Sequence, residues 1–100
     1  MTDIKLAVAG RVGEHVYSST DLSHMIARAG SKRIGATTIR DYALEQNLGV
    51  TPAELGIPCS NPAMSKTYYV LDSKLQDLIS GLGLALSSDD LRRAAPSWSR

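Results

Sequence analysis

The chain has few aromatic residues and almost no cysteine. Phenylalanine is absent, and 100 residues include one tryptophan and one cysteine, Cys59. A single cysteine excludes an intramolecular disulfide and a cysteine-cluster metal site, and it agrees with a reducing, intracellular setting. Cys59 lies between a proline and a serine with no cation beside it, so we interpret it as an unreactive loop thiol.

A strong charge of either sign and long apolar runs are also absent. The net charge is +1, and no apolar run approaches the roughly 20 residues that cross a bilayer. The first residues lack the apolar run of a signal peptide. We therefore expect a cytoplasmic protein without a membrane partner. Its length predicts a single domain over residues 1–96, followed by a disordered tail at 97–100.

Hydrophobic patterning predicts an α+β fold that is mostly helical. Apolar residues alternate over 4–8, which predicts a short N-terminal strand. His15–Tyr17 is a candidate returning strand, and Gly10 and Gly13 bracket the turn of this hairpin. The two glycines also resemble a phosphate-binding turn. The third glycine of that motif is missing and a doubly wound sheet would not fit, so the hairpin is favoured.

Two helices joined by a short connection are predicted next. Apolar stripes indicate helix A over 20–29 and helix B over 37–47. Each begins at two residues with capping-box spacing: Ser18 and Asp21 for helix A, Thr38 and Asp41 for helix B. The inward residues of helix B should be Ile39, Tyr42 and Ala43, with Leu44 near the seam. Helix A followed closely by helix B is a helix-turn-helix candidate.

Shorter elements follow helix B. They are a short helix that starts at the capping motif 51–54 and ends at Gly56 or Pro58, a loop at 57–65, a strand at 67–71, a helix capped by Asp72 or Ser73, and a last helix capped by Ser87 and Asp90. Tyr68 and Tyr69 should point to opposite faces of the strand. One of them should lie in the core, and the other could pack on a neighbour or stack on a nucleotide.

The most informative feature is a stretch with cations and no acids. No acidic residue lies between Asp21 and Asp41. The same interval carries Arg28, Lys32, Arg33 and Arg40. Within a helix-turn-helix, such a stretch suits the phosphate backbone of double-stranded DNA. The alternative interpretation is an ordinary solvated polar face.

A DNA-binding role would divide these side chains by function. The N-terminal residues of helix B would read bases in the major groove, and these are Thr37, Thr38 and Arg40. The other cations would hold phosphates, and these are Arg28, Lys32, Arg33 and, from the later strand region, Lys66.

Two motifs carry a family resemblance. Thr38-Ile-Arg-Asp-Tyr42 resembles the T-I-R-x-Y start of the recognition helix in MerR-type regulators. The segment 69–79 resembles the segment after the wing in excisionase-like proteins. The two families share a winged-helix plan, and the resemblance covers residues 17–79. It implies a winged-helix-like domain with a short wing strand. It also implies a transcriptional regulator or a recombination-directionality factor, of phage or mobile-element origin.

Some features depart from that family pattern. The connection from Gly30 to Thr38 is longer than the usual tight turn. The loop before the wing strand is also long, and the wing offers only Lys66 as a cation.

Other functions have less support from the sequence. Gly-x-Ser-x-Gly is absent, and His15 and His24 lack partners at ligand spacing, so we predict no catalytic residue, metal or cofactor. The apolar segment 82–86 could close the core or form a homodimer surface. The alternative function is a non-catalytic protein-interaction module, such as a phage-encoded inhibitor or adaptor. Its basic stretch would then bind an acidic protein surface.

Overall fold

The computed structural model describes residues 4–30, 33–59 and 61–94. It has the predicted α+β class, because helices pack on both faces of a small antiparallel sheet. The strands are β1 (Val16–Ser18), β2 (Gly49–Val50) and β3 (Tyr69–Leu71), in the order β1-β3-β2. The helices are α1 (Ile4–Val12), α2 (Ser19–Arg28), α3 (Ala36–Glu45), α4 (Pro62–Ser65), α5 (Leu75–Leu82) and α6 (Ser88–Arg93).

The sheet separates two hydrophobic clusters because successive strand residues point to opposite faces. On one face, Tyr17 and Val70 pack with α2, α3, α5 and α6 in the main core. On the other face, Val16 and Tyr69 pack with Val8 of α1 in the second core. The prediction for the tyrosine pair is confirmed, since Tyr68 belongs to the main core and Tyr69 to the second. Both are packed rather than exposed for stacking.

The predicted strand at 4–8 is wrong, because these residues begin helix α1. The helix turns Val8 fully into the second core, with Ile4 and Val12 on the same side. Ile4, Val8 and Val12 recur every four residues and so share one helical face, whereas Leu6, which a strand would place beside them, is exposed. The predicted hairpin is therefore also wrong. Gly13, with a φ of 78°, ends α1, and β1 pairs with β3 instead.

The two predicted central helices are present, with one correction. Helix A is α2, and the Ser18 hydroxyl accepts the Asp21 backbone N–H at 3.1 Å, as the spacing predicts. Helix B is α3, but it begins at Ala36 with Gly35 as the N-cap. The predicted Thr38–Asp41 capping box is therefore wrong. The extended backbone at Gly35 places the N-cap three residues earlier than the hydroxyl signal of Thr38 indicates.

The capping motifs at 51–54 and 87–90 have different outcomes. Thr51 and Glu54 exchange backbone-to-side-chain hydrogen bonds at 3.2 and 3.3 Å, but turns follow and the predicted short helix is wrong. Gly56, with a φ of 70°, and Pro58 leave it no room to propagate. Ser87 and Asp90 form a complete capping box on α6, which confirms that prediction.

Two boundaries around β3 also differ from the predictions. The loop predicted at 57–65 contains the short helix α4. The residues predicted to cap the next helix, Asp72 and Ser73, form a 3-10 turn that ends at Lys74, and α5 begins at Leu75 without a side-chain cap. The carboxylate of Asp72 accepts hydrogen bonds from Tyr17 and Arg92 instead, which explains why it does not cap the helix.

Asp72, which precedes α5, is hydrogen-bonded to both β1 and α6. Its Oδ1 accepts hydrogen bonds from the Tyr17 hydroxyl at 3.0 Å and from Arg92 Nε at 2.8 Å. Burial raises the pKa of Tyr17, and the hydrogen bond to the Asp72 carboxylate raises it further. The hydrogen bond to Asp72 likewise raises the pKa of Arg92. This group holds α6 against the junction between β3 and α5.

The apolar segment 82–86 lies against the main core. Leu84 is buried, and Leu82 and Leu86 pack partly on the cluster. This favours the core-closing alternative over an exposed dimer surface. The predicted tail at 97–100 lies outside the described residues. The longest helices of the described chain, α2 and α3, have ten residues each, about half of what a bilayer core requires.

Candidate nucleic-acid interface

Helices α2 and α3 pack directly on each other and leave one side of α3 in solvent. Leu22, Met25 and Ile26 of α2 and Ile39 and Ala43 of α3 are fully buried in the main core. Because these residues recur at helical spacing, the opposite stripe of α3 faces outward. The structure therefore presents the second helix of the predicted helix-turn-helix as an exposed surface element.

The connection between the two helices is anchored to α2. Ser23 Oγ donates a hydrogen bond to the Ile34 carbonyl at 2.7 Å, and the Ile34 side chain is buried in the main core. Arg33, beside it, is exposed. Arg33 and His24 both line a cavity of about 310 Å³ between α2 and the connection. A histidine and an arginine therefore line the same cavity just before α3 begins.

The start of α3 is open to a ligand. Gly35, the N-cap, has no side chain to accept the first backbone N–H groups, and the first turn contains no acidic residue. The positive end of the helix dipole is thus not compensated by a neighbouring carboxylate. Thr37 and Thr38 lie in this first turn and are exposed.

Arg40 is the cation on the outward face of α3. Its guanidinium lies 3.6 Å from Asp41 Oδ1, and the two side chains are 46% and 66% exposed. An exposed pair of this kind contributes about 1 kcal/mol or less. Arg40 can therefore leave Asp41 at little cost to reach another acceptor. The acidic residues on this face, Asp41 and Glu45, lie toward the C-terminal half of the helix.

The other predicted phosphate contacts have different positions. Arg28 is exposed at the last residue of α2. Lys66 is exposed in the connection between β2 and β3, separate from the α2–α3 unit. Within the described chain, neither residue, nor Arg33, forms an ion pair. Lys32 lies outside the described residues.

The connection between β2 and β3 is folded against the sheet. Its buried Ile57 and half-buried Leu55 pack in the second core, and Arg11 of α1 donates a hydrogen bond to the Leu55 carbonyl at 3.3 Å. Its only charged residues are Glu54 and Lys66. This segment therefore adds no net charge to the surface of the domain.

Leu44 is a residue of this surface that the sequence interpretation misplaced. It was expected near the seam between the helices, but it is 50% exposed. Counting 100° per residue from the buried pair Ile39 and Ala43 places Leu44 on the outward side, in line with Thr37. That count was available from the sequence once Ala43 was fixed as an inward residue.

Groups that could support catalysis or metal binding are scattered. His15 and His24 are exposed, and Cys59 is a half-buried thiol whose Sγ lies 3.6 Å from the Ile57 carbonyl. Across residues 4–30, 33–59 and 61–94, no three His, Cys, Asp or Glu residues gather as a metal site.

Comparison with protein families, with characterised proteins and with solved structures returns no match for this chain. The resemblance to MerR-type and excisionase-like proteins therefore rests on its two sequence motifs. In the fold, the first motif occupies α3, and the second runs from β3 through the 3-10 turn into α5.

Proposed function

We propose that this protein binds double-stranded DNA through a winged-helix-like domain, with α2 and α3 as the helix-turn-helix. The observation that carries the proposal is the exposed outward face of α3, which has Thr37 and Arg40 on it and the exposed cations Arg28 and Arg33 beside it. A helix with one face anchored in the core and the other solvated can enter the major groove as a rigid element.

The order of the elements supports the winged-helix part of the proposal. The two helices lie between β1 and β2, and a long connection joins the adjacent antiparallel strands β2 and β3. This is the arrangement expected if that connection is a wing. Regulation of transcription and control of recombination are the two roles that the family resemblance adds, and both belong to this proposal.

The charges divide the contacts into two kinds. Arg40, next to Thr37 and Thr38, would read base edges, because a guanidinium can donate two hydrogen bonds to guanine. Arg28, Arg33 and Lys66 would contact phosphates. Lys32 is assigned the same role from its place in the sequence, since it lies outside the described residues.

Fluorescence anisotropy on selected and scrambled duplexes tests this division. Arg40→Ala should lower the preference for the selected duplex by about 5- to 100-fold, since a bidentate contact contributes about 1–3 kcal/mol. Arg33→Ala should weaken binding to both duplexes alike. Arg93→Ala is the matched control, because it also removes one exposed cation but from α6, which is not part of the proposed interface. Equal effects of all three changes on both duplexes would contradict the proposal.

The second candidate is a protein-interaction module that binds an acidic partner through the same cations. The observation that favours it is the net charge of +1, which is low for a DNA-binding domain. In the sequence, the apolar segment 82–86 also supported this candidate. In the structure that segment packs on the main core, so this support is lost. A binding experiment with duplex DNA separates the two, because this candidate predicts no binding even at low salt.

A further inference from the structure

The outward face of α3 carries four exposed residues at the spacing with which recognition helices contact bases. Thr37, Arg40, Asp41 and Leu44 lie at i, i+3, i+4 and i+7, and all are exposed. Homeodomain recognition helices contact the major groove through residues at this spacing. The fourth position is unusual because Leu44 is one of two large apolar side chains exposed in the described chain, and its neighbours on this face are polar or charged.

An apolar side chain in the major groove has one chemical partner there. Each base pair offers hydrogen-bond donors and acceptors at its edge, but the 5-methyl of thymine is the only apolar group. Leu44 has no polar atom with which to contact the other edges. A single exposed leucine elsewhere on a surface would need no explanation. In this position it would be pressed against the bases whenever Arg40 is in the groove.

We propose that Leu44 contacts the 5-methyl group of a thymine, and so adds a T·A pair to the site that Arg40 reads. This inference rests on the proposed function. The axial distance between the two residues is about 6 Å, because each helical residue rises about 1.5 Å. Base pairs are spaced about 3.4 Å apart, which places the thymine about one or two base pairs from the guanine.

Asp41 helps to fix that geometry. Its carboxylate lies 3.6 Å from the Arg40 guanidinium, in an exposed pair that a guanine can replace at little cost, so both side chains face the same part of the groove. Asp41 is also an acceptor that suits the N4 amino group of cytosine in the same G·C pair. The three residues together would favour a short sequence containing a G·C pair and a neighbouring thymine.

The test uses deoxyuridine, which pairs as thymine does but lacks the methyl group. A duplex is first selected from a random pool with the full chain, and each thymine in the common sequence is then replaced singly. We expect one replacement to weaken binding about three- to fivefold, as loss of one buried methyl contact should. Leu44→Ala should weaken binding to the thymine duplex by a similar factor and should no longer respond to that replacement.

Leu6→Ala is the matched control, because Leu6 is 52% exposed on α1. It should bind like the parent chain and keep the response to deoxyuridine. The inference is overturned if no thymine matters, or if Leu44→Ala keeps the parent's response at every thymine. If the parent chain binds no duplex at all, the proposed function fails as well. Binding whose guanine preference depends on Arg40 but shows no thymine effect overturns this inference alone.

Discussion

Replacing Tyr68 with phenylalanine should loosen the attachment of α3 to the sheet. The Tyr68 side chain is 2% exposed, and its hydroxyl accepts the Gly49 backbone N–H at 2.7 Å and donates to the Ala43 carbonyl at 3.2 Å. Burial raises the pKa of Tyr68, although the hydrogen bond from Gly49 opposes this, so the hydroxyl stays protonated at neutral pH and can donate. One oxygen thus joins the C-terminal end of α3 to β2.

The cost of this change can be estimated from the groups left behind. The Ala43 carbonyl keeps the Leu48 N–H at 2.9 Å, whereas the Gly49 N–H loses the acceptor that Tyr68 supplies. A buried donor left without an acceptor costs about 1–3 kcal/mol. In urea unfolding this lowers the midpoint by about 1–2 M with an unchanged slope.

Tyr42→Phe is the matched control for Tyr68→Phe. The Tyr42 hydroxyl is half-buried and has no hydrogen-bond partner among the described residues, so its removal should cost less than about 0.5 kcal/mol. Equal midpoints for Tyr68→Phe and the parent chain would refute the reasoning.

Three further changes test other parts of the fold. Gly49→Ala should destabilise the chain by about 3 kcal/mol in urea unfolding, because an added Cβ would overlap the backbone of Tyr69 on β3. Val8→Ala should cost about 1–3 kcal/mol by the same measurement, since it empties part of the second core, and no effect would contradict the position of α1. The backbone hydrogen bond from Ser87 lowers the pKa of Asp90, so its stabilisation of α6 is present above about pH 4 and is lost as the pH falls below that. Circular dichroism during an acid titration should therefore show a smaller loss of stability for Asp90→Asn than for the parent chain.

Sequence reasoning succeeded where one short segment decides the structure. The capping residues at Ser18 and Ser87 act on backbone groups three residues away, so their effect is visible without tertiary contacts. The apolar stripe of α2 is also local, and it predicts the buried face correctly. The opposite orientations of Tyr68 and Tyr69 follow from the strand geometry alone.

The errors arose where distant residues decide the structure. Whether 4–8 forms a strand or a helix depends on the second core, whose members come from four separate stretches of the chain. The carboxylate of Asp72 does not cap a helix because Tyr17 and Arg92 already bond to it. On the candidate site, the cations were visible in the sequence, and the outward position of Leu44 followed from the helical count, but the contact between Arg40 and Asp41 required the fold.

The salt dependence of binding to a mixed pool of duplex DNA tests the central claim most directly. Four phosphate-contacting cations predict a logarithmic slope of about −3 to −4, so affinity should fall about 100-fold between roughly 50 and 200 mM salt. Arg33→Ala should reduce that slope by about one, and Arg93→Ala should leave it unchanged. Absence of binding at 50 mM salt, or binding that does not respond to salt, would contradict the account.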